Sequence, residues 1–181
     1  LCNHIDPEDT KAVEKSCMEA DITICYEEGE QAVFLNGKNV NDVLRTEEVG
    51  NMASLTSKNP KVRLRLTSLQ KALAEKNNVV MDGRDIGTCV LPEADVKIFL
   101  TASAGVRAKR RFDELSAKGQ ECDIQKIEED IIKRDEQDMN RKIAPLKPAE
   151  DAVFIDSSYM SIDEVANEIM TLCEKSTTKI N

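Results

Sequence analysis

Three short apolar runs, Asn78–Met81, Val96–Leu100 and Val153–Ile155, do most to constrain how this 181-residue chain folds. None alternates cleanly between apolar and polar positions. Strands of that kind are buried on both faces, as in a parallel sheet covered by helices. Parallel neighbours also need long crossovers, and helical patterns fill the interval between the second and third runs. Residues 104–118 and 124–139 read as a charged helical pair broken around Gly119. Ser161-Ile162-Asp163-Glu164 is a capping box, and the helix it opens carries Val165, Ile169 and Leu172 on one side. The expected class is α/β.

The N-terminal third follows another pattern. Asp6-Pro7 predicts a helix to about Met18, with Asp as N-cap and Pro at the first helical position. Ile22, Ile24 and Tyr26 then alternate with polar neighbours, Glu28-Gly29 turns the chain, and Val33–Leu35 makes a second strand. Asn36-Gly37 is a strong hairpin signal, because both residues tolerate positive φ. Asn59-Pro60 opens another helix, on which Val62, Leu66, Leu69 and Leu73 form one apolar stripe. Residues 21–41 therefore read as a small antiparallel insert between helices. No internal repeat or low-complexity linker is visible.

Composition narrows the function classes. With 40% hydrophobic and 33% charged residues, the chain reads as soluble and globular, and no apolar run approaches the ~18 residues of a membrane span. A formal charge of −9 argues against a nucleic-acid or anionic-membrane partner. The six cysteines form no CxxC and there is a single His, so reduced cytosolic thiols are expected rather than a zinc site or disulfides. The start, Leu1-Cys2-Asn3-His4, shows no signal peptide and no initiator Met.

Three clusters could carry chemistry. Asp82-Gly83-Arg84-Asp85-Ile86-Gly87-Thr88 follows an apolar run directly, and ligands bind at the carboxyl ends of strands in open α/β sheets. There, Arg84 offers a planar fork for phosphate and Asp85 an acceptor for an amine or hydroxyl. A structural turn with Arg84 and Asp85 paired to each other is the bland alternative. Arg134, Asp138 and Arg141 fall at i, i+4 and i+7, on one helical face. Spacing alone favours a solvent-side salt-bridge ladder over a site for these three. The third cluster is basic: Arg107, Lys109, Arg110 and Arg111, with Lys61, Arg63 and Arg65 elsewhere. Lys61, Arg65 and Lys109 read best as solvated.

Taken in order, these stretches resemble the bacterial-type cytidylate kinase family. The resemblance is carried by Leu44-Arg45-Thr46-Glu47-Glu48-Val49 with Ala53-Ser54, Pro60-Lys61-Val62-Arg63, and the Asp82–Thr88 stretch. It continues through Val96-Lys97-Ile98-Phe99-Leu100, Ala108-Lys109-Arg110-Arg111, and Arg134-Asp135 to Asp138, Asn140, Arg141 and Ala144-Pro145-Leu146.

The resemblance implies a P-loop nucleoside monophosphate kinase-like, three-layer parallel sheet with a small antiparallel insert and a short helical lid. Its expected domains are a core helix at 1–20, a monophosphate-binding insert at 21–75, core at 76–111, a lid at 112–123 and core at 124–181. It also implies transfer of the ATP γ-phosphoryl group to CMP or dCMP, with Mg²⁺, by a cytoplasmic monomer of pyrimidine metabolism. Ser54, Arg63, Asp85 and Arg141 would read cytosine, and Asp138 with Arg134 would hold the ribose. Arg84, Arg134 and Arg110 or Arg111 would face phosphate. The family pattern opens with a GxxxxGK[ST] loop that no glycine of this sequence matches, so roughly the first 35 to 40 residues of that pattern are expected to be absent. A non-catalytic nucleotide-binding fragment and a UMP or AMP kinase relative remain the alternatives.

Overall fold

A computed structural model describes residues 4–27, 29–44 and 46–177, with backbone alone at 27, 47 and 177. Leu1, Cys2 and Asn3 of the chain start, Glu28 of the expected turn and Arg45 of the Leu44–Val49 stretch lie outside the described residues. Two compact units divide the chain, Leu1–Asn78 and Val79–Asn181.

The first unit contains α1 (Thr10–Glu19), β1 (Ile22–Glu27), β2 (Glu30–Leu35), β3 (Lys38–Asn39), α2 (Asn41–Leu44), α3 (Glu47–Thr56) and α4 (Pro60–Ala74). The three strands form one antiparallel sheet, with Ile24 opposite Val33 and Leu35 opposite Lys38. Asn36 and Gly37 close the β2–β3 turn at φ 51° and 75°, the left-handed geometry their residue types allow. Helix α4 starts as its sequence dictates: Asn59 Oδ1 accepts from Lys61 and Val62, and Pro60 needs no donor. Val62 is buried, but Leu66 at 37% exposure shows that the stripe is only partly covered.

The start of α1 differs from expectation. Asp6 Oδ1 accepts from Glu8 N–H at 2.9 Å, so Asp6-Pro7 builds a tight turn. Asp9 is the N-cap instead, accepting from Ala12 at 3.1 Å. Helix α1, expected in the core, shares the first unit with the small sheet and packs on α4.

The second unit contains β4 (Ile98–Thr101), α5 (Ala104–Ala117), α6 (Ile124–Met139), β5 (Val153–Asp156) and α7 (Ile162–Thr177). Strands β4 and β5 pair in parallel, Leu100 opposite Ile155, and α5 and α6 fill the crossover between them. Ser161 and Glu164 cap α7 reciprocally, at 2.7 and 3.2 Å. The α/β class and the antiparallel insert are as expected. The parallel sheet is narrower: Asn78–Met81 is not a strand, and Val80 is fully exposed. A strand exists only with a ladder partner, and among the described residues this segment has none.

Candidate functional site

Immediately after Met81 the chain makes a loop and then a single π-turn, Ile86–Val90. The Asp85 carbonyl accepts from Thr88, Cys89 and Val90, at 3.3, 2.9 and 3.3 Å. π-Turns are rare and recur at functional sites. Little room is left at Gly83: a Cβ would lie 2.9 Å from Ile86 Cγ1, so the Ile86 side chain would have to shift. On the far side, the Lys97 stem approaches within 3.4 Å of a Cβ built at Gly87. Lys97 Nζ is itself held by Asp151 at 2.6 Å and by the Pro92 carbonyl. The loop is thus braced on both sides.

What it presents is Arg84. Its Nε donates to Asp138 Oδ2 at 2.7 Å, and the Asp138 side chain is only 2% exposed. Arg141 Nη2 lies 2.5 Å from Asp138 Oδ1 without an N–H aimed at it, so among the described residues this oxygen has a charge partner but no hydrogen bond. Leu146 N–H closes on the Asp138 carbonyl at 2.8 Å, folding the Ala144–Leu146 segment back onto the end of α6. Ala144 takes φ 49°, a strained value for a residue with a Cβ. A buried carboxylate between two guanidiniums is costly to desolvate, so this is no solvent ladder. Asp138 is therefore not part of a solvent-side ladder, and Arg141 lies beyond the last turn of α6.

The other expected site residues are distributed as follows. Arg134 is exposed on α6, and its side chain makes no hydrogen bond or ion pair among the described residues. Asp85 is half-buried in the loop. Ser54, on α3, and Arg63, on α4, are half-buried in the first unit. Arg110 is already committed: Nη2 donates to Ser157 O at 2.6 Å and Nη1 to Ser157 Oγ at 3.2 Å. Arg111 makes an exposed pair with Glu114 at 2.8 Å. Arg84, Asp138 and Arg141 are therefore brought together, whereas Arg110 and Arg111 turn to other partners.

In the sequence Arg107 reads only as a member of the basic cluster, and Asp135 and Ser157 carry no role of their own. Arg107 grips Asp135 with both terminal nitrogens, at 3.1 and 2.5 Å. Ser157, 5% exposed, donates from N and Oγ to Thr101 O at 2.8 and 3.0 Å, joining the carboxyl ends of β4 and β5. At the same end, the Ser158 hydroxyl and backbone N–H hold the Asp156 carboxyl below the usual aspartate range. The only sequence signal available was the i, i+3 spacing of Asp135 and Asp138, which puts both on one face of α6.

This buried Arg–Asp–Arg arrangement sits in a chain whose residues 1–175 match the family model described as cytidylate kinase. The chain belongs to the cytidylate kinase family. A cytidylate kinase of Caldicellulosiruptor bescii is 48% identical over 175 residues, covering 97% of this chain and 77% of that protein. A cytidylate kinase of Lactobacillus gasseri is 44% identical over 173 residues, covering 96% and 75%. One from a Geobacillus species is 51% identical over 142 residues, covering 78% and 63%. Membership of the cytidylate kinase family places the chain among kinases that transfer a phosphoryl group to a nucleoside monophosphate.

For such chemistry the protein's part is positioning and positive charge, not a covalent intermediate. Among the described residues no three His, Cys, Asp or Glu side chains converge as a metal cage. Mg²⁺ commonly takes one or two carboxylates and completes its shell on substrate phosphates. Among the described residues no side chains build a site for it alone. No helix of the described residues is long and apolar enough to cross a membrane.

Proposed function

We propose that this chain binds CMP or dCMP as phosphoryl acceptor in a cytidylate kinase reaction, with ATP and Mg²⁺ as the donor, in the cytoplasm. The observation that carries the reading is Asp138, buried and braced by Arg84 and Arg141 in a chain of this family. Among the described residues its Oδ1 accepts no hydrogen bond, and a ribose hydroxyl that displaces the Arg141 contact would supply one. Among the described residues Arg84 is bound only through Nε, and its side chain is 45% exposed, which leaves its terminal nitrogens for the acceptor phosphate. Arg134, exposed on α6, adds a second cation for the same group.

In this proposal Ser54, Arg63, Asp85 and Arg141 read the base. Cytosine offers an exocyclic amine, a ring nitrogen and a carbonyl, so its reader needs both a carboxylate and a guanidinium. Residues 112–123 act as the lid. Between the two arginines at its base, Arg111 is the better donor-phosphate ligand, because an exposed pair with Glu114 is easily exchanged. Arg110 would have to abandon Ser157 first.

The test is CMP affinity in two single variants. Arg134→Ala should weaken binding by about tenfold or more, the loss of roughly one charged hydrogen bond. Arg65→Ala should leave it nearly unchanged. Equal and small effects in the two variants would remove Arg134 from the site.

A further inference from the structure

Helix α6 is fixed by polar anchors more than by apolar burial. Its one fully buried side chain among the described residues is a carboxylate, Asp138. Ile127, Ile131 and Asp135 on the same side are only half-buried. With so little apolar surface removed from water, the rotation of α6 against α5 depends the more on directional contacts. The Arg84–Asp138–Arg141 arrangement is one such contact.

Asp135 makes the other. Its two carboxylate oxygens accept from Arg107 Nη1 and Nη2 at 3.1 and 2.5 Å, a fork-to-fork pair. The third nitrogen, Nε, donates to the Ala102 carbonyl at 3.0 Å. A planar guanidinium held at all three nitrogens has no orientation left to choose, so it fixes the angle of its partner. Ala102 is 7% exposed and directly follows β4. The fork therefore pins α6 to the carboxyl end of a parallel strand, where ligands bind in open α/β sheets. Asp135 comes one residue after Arg134 and three before Asp138, so any roll of the helix at this point carries both away.

We propose that Asp135, through Arg107, is a positioning residue that sets the rotation of α6 and thereby aims Arg134 and Asp138. That the aim is toward a nucleotide rests on the function proposed above. Asp135 itself need touch no substrate. The pair is 36% and 26% exposed, so its share of folding stability is small beside its directional role.

The experiment compares Asp135→Asn and Arg107→Lys in the 181-residue chain, the second keeping the charge but losing the fork. The first readout is the Arg84 Nε–H resonance in nitrogen-15 NMR, assigned by its loss in Arg84→Lys. In both variants it should move toward the position of an exposed arginine and exchange with water about tenfold faster, while thermal melts remain cooperative. CMP binding should weaken by about tenfold in parallel. Lys109→Ala, which breaks an exposed pair with Asp113 and a contact over the Phe112 ring, should change neither. An unmoved Arg84 resonance in the folded variants would overturn the positioning role. Loss of a cooperative melt in both would overturn it too, because the pair would then be a folding determinant. A displaced Arg84 resonance in a chain whose wild type binds no CMP would uphold the rotation of α6 and overturn the nucleotide reading.

Discussion

Arg84 and Asp138 are 54 residues apart and meet at 2.7 Å, the Nε–H of a loop arginine donating to a helix carboxylate almost wholly removed from solvent. A charge buried to that degree is stable only while its partner stays in place. The loop after Met81 and the end of α6 are therefore tied to one another chemically.

Asp138→Ala should cost about 2–3 kcal/mol, below the full penalty for breaking a buried pair because Arg84 remains 45% exposed and keeps part of its hydration. Asp138→Asn retains an acceptor for Arg84 and should recover part of that loss. Urea denaturation reads both values, and equal stability of the two variants would argue against the Arg84 bond as the main term.

Gly83→Ala should destabilise by about 1–3 kcal/mol, since its Cβ would sit 2.9 Å from Ile86 Cγ1 and push the π-turn. Gly50→Ala is the control. That glycine lies in α3 with nothing within 4 Å of a Cβ, so alanine should be neutral or stabilising by up to ~1 kcal/mol. Thermal melts that rank the two variants the other way would contradict the close approach at Gly83.

Part of the acid sensitivity should be traceable to Glu14. Lys61 Nζ at 2.7 Å, and then Asn59 Nδ2 at 3.2 Å, hold its carboxyl below the ordinary 4.5. A folded pKa below the unfolded one gives stability that is fully present above the unfolded value and fades as pH falls through the folded one. Lys61→Met should therefore flatten the fall in stability below about pH 4.5. An unchanged acid slope would mean the pair contributes nothing measurable.

Much of this arrangement is legible from residue types acting locally. Asn36-Gly37 gives the hairpin because both residues tolerate left-handed backbone, and Ser161 with Glu164 caps α7 because each side chain reaches the other's amide. The break around Gly119 separates α5 from α6, and this glycine adopts φ 70°. Asp6-Pro7 misleads because Asp9 offers an equally good cap three residues later. Asn78–Met81 misleads because apolar composition cannot specify a ladder partner. At the site, helical spacing puts Arg134 and Asp138 on one face but says nothing of Arg84, which arrives from a distant loop. Arg107 and Asp135, 28 residues apart, are invisible for the same reason.

Arg110 and Arg111, neighbours on α5, should separate cleanly. Arg110→Ala removes two bonds to Ser157 and should cost about 1–3 kcal/mol, because Ser157 also joins the ends of β4 and β5. Arg111→Ala breaks only the exposed pair with Glu114 and should cost less than about 0.5 kcal/mol. Paired denaturation curves decide it, and similar losses would mean that Arg111 has a structural partner of comparable weight.

The most direct measurement is a calorimetric titration of the folded chain with CMP, with AMP as control. Saturable binding of CMP about tenfold or more tighter than AMP is expected, because a site built to hydrogen-bond one base leaves polar groups unpaired with another. A folded chain that binds neither nucleotide, or both equally, would contradict the assignment of Arg84, Asp138 and their neighbours to a cytidylate acceptor site.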